Sequence, residues 1–435
     1  MKVAIVGYGL QGRSSYEYFK GGNDVTIHDI DTRISLPKNV VSILGPDYLS
    51  NLNEYDLIVR SPKVHPLDIA SANGGSDILS KVTTNTNEFL RIVGTKNVIG
   101  VTGTKGKGTT STLIYKLLES SGKKAYLGGN IGTPPLELLK NDLQPTDLIV
   151  LELANFQLID IKYSPHIAVC LMVEQEHLDW HKSFEEYVQS KSQMFNKQTD
   201  DDIAVFFSRN DYSKQIASSG KAKLIPYFMA PGALIDDEYV SIGDSKIVKL
   251  SDIKLLGKHN LENICAALTT YWQIEQNAEA AKSAISSFSG LPYRLELVDT
   301  HNGVKYFNDS FASAPPASIA AMESVEGKKV LIIGGKDRGL ELKNLMIKIK
   351  EHQKDIRKLV LIGESRERLK YELEQMGYDN YTVYDGFSMR EIAMRAGSYA
   401  RPGDSVILSP GFPSFDMFKN FEDRGQQYNE AVKSL

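Results

Sequence analysis

Three times along this chain, short runs of branched aliphatic residues alternate with stretches of helical period. That alternation leaves few options. Apolar runs this short and without polar alternation suit strands buried on both faces of a sheet. Parallel strands need a crossover as long as a helix, which the periodic stretches supply. The first set opens with VAIVG at 3–7, then a helical stretch near 11–20, DVTIHD, and DLIVR ending at Arg60. The second opens with NVIGVTG at 97–103 and continues through AYLGG, DLIVLEL at 147–153, HIAVCLM at 166–172 and DIAVFF at 202–207. EYVSIGD and SKIVKL then read as antiparallel strands, and LENICAALTTYWQI at 261–274 as an amphipathic helix. The third set starts near Leu291, where Asn302-Gly303 signals a two-residue hairpin, and runs on through KKVLIIGG, KLVLIG, NYTVYD and DSVILSP. The expected fold class is α/β in three domains, 1–93, 94–291 and 292–435.

A length of 435 residues exceeds one ordinary core and agrees with several domains. The net charge of −4, with Lys and Arg scattered, supplies no basic field for nucleic acid. Two cysteines, Cys170 and Cys265, both in apolar stretches, cannot build a disulfide framework or a thiolate zinc site. The first residues enter a strand pattern directly, and no apolar run reaches the roughly 18 residues of a membrane span. We expect a cytoplasmic protein, monomeric and not inserted in a membrane.

The chemistry concentrates at strand ends. GYGLQG at 7–12 matches GxGxxG, with Asp29 lying 17 residues after Gly12. That pattern alone fits a nicotinamide enzyme or any phosphate-bearing ligand at a helix start. GTKGKGTT at 103–110 departs from GxxxxGK[ST], because Gly108 follows Lys107. Its context is nevertheless that of an anion site: an apolar strand enters, a helix leaves, and glycines expose a nest of N–H donors. Thr109 and Thr110 follow at once, so a loop shifted by one residue can present a hydroxyl to Mg²⁺. Glu152 closes the strand of DLIVLEL, where parallel sheets put their ligands and where a hard cation wants a carboxylate. His177 follows a third strand of the same sheet. His177 and His181 have the spacing of a zinc protease motif, but Leu178 stands where its glutamate belongs.

GVTGTKGKGTT, GGNIG at 128–132, ELANFQL at 152–158, EHLDWH, EEYVQSK, GKHNLENICAA at 257–267 and SPGFPSFDMFKNFEDRG at 409–425 together resemble the Mur ligases. Within them, FDMFKNFEDRG resembles the glutamate-adding branch. The resemblance covers essentially the whole chain. It implies a Rossmann-like N-terminal domain for a UDP substrate, a central P-loop ATPase domain with a small antiparallel sheet, and a C-terminal Rossmann-like domain for glutamate. The implied reaction joins UDP-N-acetylmuramoyl-L-alanine to D-glutamate through an acyl phosphate, with ATP and two Mg²⁺ ions. Lys107, Glu152, His177 and Lys191 would be catalytic. ATP would meet Gly103, Thr104, Lys105, Gly106, Lys107, Gly108, Thr109, Thr110, His259, Asn260, Asn263, Arg294 and Asp309. The UDP substrate would meet Gly9, Leu10, Gln11, Arg33, Ser61 and Asn130, and glutamate would meet Lys336, Arg338, Ser414, Phe415 and Phe421. Thr109, Glu152, His177 and Lys191, the last if carbamylated, would hold metal.

Four segments depart from the family pattern: Gly108 after the lysine, Phe311 for a lysine in DSFAS, SPKV at 61–64, and ELANF for ELSSF. The GKGT order is closer to folylpolyglutamate synthases, which are one alternative. A nicotinamide oxidoreductase and a non-catalytic nucleotide-binding module are the others.

Overall fold

A computed structural model describes residues 1–435 except Asp179, within EHLDWH, and Leu256. The first sheet contains β1 (Lys2–Val6), β2 (Asp24–Asp29), β3 (Val41–Leu44), β4 (Leu57–Arg60) and β5 (Val82–Thr84), all parallel, in the order β3-β2-β1-β4-β5. Its central strand buries Val3, Ala4, Ile5 and Val6 completely, as a strand covered on both faces must.

The second sheet contains β6 (Val98–Thr102), β7 (Ala125–Gly129), β8 (Leu148–Glu152), β9 (Ile167–Cys170), β10 (Ile203–Phe207) and β11 (Lys223–Tyr227). These are parallel in the order β11-β10-β9-β6-β8-β7. Antiparallel β12 (Leu234–Asp236), β13 (Tyr239–Ile242) and β14 (Ser245–Lys249) form a separate small sheet; β13 and β14 are the two strands expected from EYVSIGD and SKIVKL, and β12 is an addition to them.

The fourth sheet contains β15 (Glu296–His301), β16 (Val304–Asn308), β17 (Lys329–Gly334), β18 (Ile356–Ile362), β19 (Tyr381–Val383) and β20 (Ser405–Leu408), ordered β15-β16-β20-β17-β18-β19. Only β15 runs against its neighbour. The hairpin joining it to β16 turns at Asn302 and Gly303, both with positive φ (50° and 76°), which is the two-residue turn the Asn-Gly pair signals.

The chain divides into two compact units, Met1–Asp252 with His259–Ser286, and Ile253–Lys258 with Ser287–Leu435. The first and second sheets belong to the same unit, although the chain passes from one to the other near residue 94. No helix among the described residues is long and apolar enough to cross a membrane.

Candidate functional site

In the second sheet, β6 is flanked by β8 on one side and β9 on the other. The chain therefore winds first one way from β6 and then the other, and the crevice at such a reversal is where open α/β sheets take ligands. GTKG leaves β6 at that point. The helix Lys107–Ser120 starts behind it with no side-chain cap from Gly106, the setting in which helix N-termini take anions. Its N-cap, Gly106, has φ 86°, and a Cβ there would overlap Asn263 Oδ1. Glycine is required twice over, by conformation and by space. Asn263 in turn accepts from Thr110 Oγ1 at 3.3 Å and donates to Asn260 Oδ1 at 2.8 Å, so the LEN segment is fitted to the phosphate loop.

Other bonds fix the loop from the β9 side. Thr104 donates its N–H to Met172 O (2.8 Å) and its hydroxyl to Glu174 O (3.0 Å), and it lies 2.8 Å from the Tyr187 hydroxyl. Lys105 is exposed and ion-paired with Glu174.

Two amines converge on one carbonyl. Lys107 Nζ donates to Gly103 O at 3.1 Å and to Thr104 O at 2.9 Å, while Lys191 Nζ reaches the same Gly103 O at 2.8 Å. Lys191 comes from the helix Phe184–Ser192, is fully buried, and sits 4.5 Å over the Tyr187 ring. Burial, and then the charge of Lys107, hold its pKa well below the ordinary lysine value.

Glu152 ends β8 beside Val101 of β6. Asn130 of GGNIG clasps it, side chain to Oε1 and main-chain N–H to its carbonyl, both at 2.8 Å. His177 lies in the loop after β9 with φ 57°, unusual for a residue with a side chain. Its ring packs 4.9 Å from Phe156, and Nε2 lies 3.4 Å from Glu176. His181 is instead a buried brace, with Asn155 at 2.7 Å on Nε2 and Glu186 at 3.3 Å on Nδ1.

ATP and Mg²⁺ fit this donor set. Thr102 Oγ1, at the end of β6, is buried without a hydrogen-bond partner, and the helix start above it is uncapped. Among the described residues no three His, Cys, Asp or Glu side chains gather into a metal cage. Mg²⁺ needs none, since one or two protein oxygens, water and phosphate complete its shell.

The GxGxxG turn carries a similar opening. Gly9 caps the helix Leu10–Phe19 without a side-chain bond, and space beside it is open. Gly12 packs on Gly7, whose carbonyl a Cβ would strike. Asp29 accepts from the N–H groups of Tyr8 (2.5 Å) and Asp31 (2.9 Å), so the carboxylate a nicotinamide ribose would need is turned to the backbone. Gln11 reaches Gly129 O at 3.5 Å, linking this turn to GGNIG; Ser61 Oγ is spent on Gly7 O at 2.6 Å, and Leu10 and Arg33 are exposed.

In the second unit, the Arg294 guanidinium lies 3.7 Å from the Phe311 ring centre, and Phe421 meets Phe311 edge-on at 5.0 Å. Phe311, where the resemblance expects lysine, thus completes an arginine–aromatic stack. Lys336 pairs with Glu364 at 2.5 Å and Arg338 lies over Phe415. Ser414 is buried, its carbonyl accepting from Met417 and Phe418, whereas Phe415 is exposed.

Asp309 is buried, accepting from Leu295 N–H (3.1 Å) and Ser409 Oγ (2.6 Å). Burial dominates, and its pKa rises to about 7. Between the ordinary carboxylate value of 3.8 and that value, the folded chain keeps a proton that the unfolded chain has lost. Stability from this group is therefore present in acid and lost as pH rises toward 7. Urea midpoints of this unit's transition should show that decline, and Asp309→Asn should flatten it. Equal slopes in both proteins would count against the assignment.

Residues 101–271 match the model of the Mur ligase middle domain, and 293–412 that of the Mur ligase glutamate ligase domain. UDP-N-acetylmuramoylalanine--D-glutamate ligase of Acetivibrio thermocellus is 35% identical over 100% of this chain and 96% of its own. The protein of that name from Ruminiclostridium cellulolyticum is 36% identical, over 100% and 97%. The chain belongs to the Mur ligase family. Among solved structures, Thermotoga maritima MurF ligase in complex with ADP shares the fold, with TM-score 0.60 and 19% identity over 99% of this chain and 95% of its own.

This Mur ligase also uses residues that motif reading passed over. Arg60, at the end of β4, is fully buried and clamps Asp160 with Nε (2.6 Å to Oδ2) and Nη2, while Nη2 also reaches Phe156 O at 3.0 Å and Nη1 reaches Val64 O at 3.1 Å. It ties the first sheet to the segment after ELANFQL. Arg424 of FEDRG, also buried, is held by Ser310 and Phe412 carbonyls. A charged residue closing an otherwise apolar strand was the available signal for Arg60.

Proposed function

We propose that this Mur ligase joins UDP-N-acetylmuramoyl-L-alanine to D-glutamate at the expense of ATP, forming an amide in peptidoglycan precursor synthesis. The observation that carries the reading is the phosphate loop with Lys107 at an uncapped helix start, in a chain matched end to end by relatives of that name. The Thermotoga maritima MurF structure, which shares the fold, is a complex with ADP, and that supports a nucleotide ligand here. In this reading the substrate carboxylate oxygen attacks the γ-phosphorus and ADP departs. The glutamate amine then attacks the acyl carbon, loses a proton, and the C–O bond to phosphate breaks. Loop N–H groups and Lys107 hold the transferring charge, which is the main aid such a reaction can receive.

Glu152, Thr109 and His177 would hold Mg²⁺, which supplies charge neutralisation at the phosphoryl and acyl oxygens. Lys191 as an ammonium would repel a cation. A carbamate on it would turn it into an anion, and its burial beside Lys107, which favours the neutral amine, supports that modification. The first domain, 1–93, would take the UDP moiety with Gly9, Leu10, Gln11, Arg33 and Ser61, and Asn130 the muramoyl part. The central domain, 94–291, would take ATP, His259, Asn260 and Asn263 at its adenine end. The third, 292–435, would bring Arg294 and Asp309 to the nucleotide and Lys336, Arg338, Ser414, Phe415 and Phe421 to glutamate.

Phosphate release with ATP, Mg²⁺ and UDP-N-acetylmuramoyl-L-alanine tests this directly. Release should require D-glutamate and fail with L-glutamate or with a folate in place of the nucleotide sugar. Equal release with the folate would replace the reading with its folate-directed relative.

A further inference from the structure

A cavity of about 340 Å³, at the small end of the range for ligand pockets, opens between the first sheet's flank and the helix Phe184–Ser192. None of its lining residues belongs to the ATP, UDP or glutamate sets above. One wall is apolar, with Leu79, Val82 and Ile159; the facing wall is polar, with Glu186, Gln189 and Gln193. Those polar positions recur at helical spacing and so share a face of their helix, while Lys191 projects from another.

His65 supplies the observation that makes this more than a gap. It is 7% exposed and lines the cavity, and its Nε2 is buried with no hydrogen-bond partner. Nδ1 accepts the Leu67 N–H at 3.1 Å as the N-cap of the helix Pro66–Ala72. The neutral ring must then carry its proton on Nε2, as a donor. Glu186 Oε2 stands 3.9 Å away, too far for a direct bond and far enough for one oxygen atom to sit between. A buried donor left unmade costs free energy, so the ligand that belongs here brings an acceptor. Asp160 and Lys162 also line the cavity, but Arg60 holds the first and the second donates to Val82 O at 2.7 Å, so an anion would still meet the Glu186 carboxylate, and a cation has nothing to accept with. A hydroxyl accepts from Nε2 and donates to Glu186.

We propose that this cavity is a binding site for a small neutral amphipathic alcohol, its hydroxyl bridging His65 Nε2 and Glu186 and its apolar body lying on Leu79, Val82 and Ile159. Such a ligand wedges the first sheet against the helix that bears Lys191 from a side the substrates do not use.

Saturation-transfer NMR on the full chain, with 2-phenylethanol as probe and ethylbenzene and phenylacetate as comparisons, tests the site without reference to turnover. The alcohol should bind, and the other two at least about tenfold more weakly. His65→Asn keeps an N-cap acceptor and removes the ring donor, so it should weaken the alcohol about tenfold. Leu79→Trp should fill the space and abolish binding. No binding of the alcohol to the native chain would overturn the proposal, leaving water alone as the occupant. Hydrocarbon or carboxylate binding as tightly as the alcohol, or alcohol binding indifferent to both variants, would overturn it equally.

Discussion

Lys107→Met should lower kcat by about 10²–10³-fold, the scale of losing one preorganised charge from a transition state. Lys107 is the amine at the first turn of the loop helix, placed by Gly103 O and Thr104 O where the N–H nest opens. It is only half-buried, so stability should stay within about 0.5 kcal/mol of the parent. Lys116→Met is the control. Lys116, further along the same helix, is exposed and paired with Glu119, and removing a surface ion pair costs about 1 kcal/mol or less. Single-turnover phosphate release would separate the two lysines, and equal losses would remove Lys107 from its assigned role.

Asp160→Ala should destabilise the first unit by about 3–5 kcal/mol, because it strands the Arg60 guanidinium in the interior. Arg60 has no exposed surface in its side chain, and the remaining carbonyl acceptors do not neutralise it. The double variant Arg60→Met with Asp160→Leu should recover most of that loss, since matched apolar side chains often replace a buried pair at little cost. Urea unfolding of the four proteins completes the cycle. A single variant no less stable than the double one would show that the pair is not what holds this junction.

Much of the architecture was legible because fully buried parallel strands announce themselves as uninterrupted aliphatic runs. VAIVG, NVIGVTG and KKVLIIGG are all central or near-central strands. The short strands Val41–Leu44 and Val82–Thr84 escaped notice, being edge strands that carry little apolar signal. The glycine-rich turn at 103–108 was legible as a strand-to-helix junction for a related reason, since its glycines stand between an aliphatic run and a helical one. What no spacing rule could give was convergence. Lys191 meets Lys107 at Gly103 from 84 positions further along the chain, and Asn263 fits against Gly106 from still farther. Those meetings depend on how helices lie over a sheet. Arg60 was hidden for a different reason: a terminal arginine in an apolar run reads as a solvent-facing end until its partner, 100 residues away, is known.

The Arg60 clamp also decides where the polypeptide tolerates being cut. A fragment starting after Val93 would retain Asp160 and the Phe156 carbonyl but forfeit the guanidinium that satisfies both, and it would bare the surface that Trp180 touches through Lys63 O. The polypeptide after Val93 is therefore no freestanding cassette, and any transplant of it into another protein has to carry the leading ninety-odd residues along.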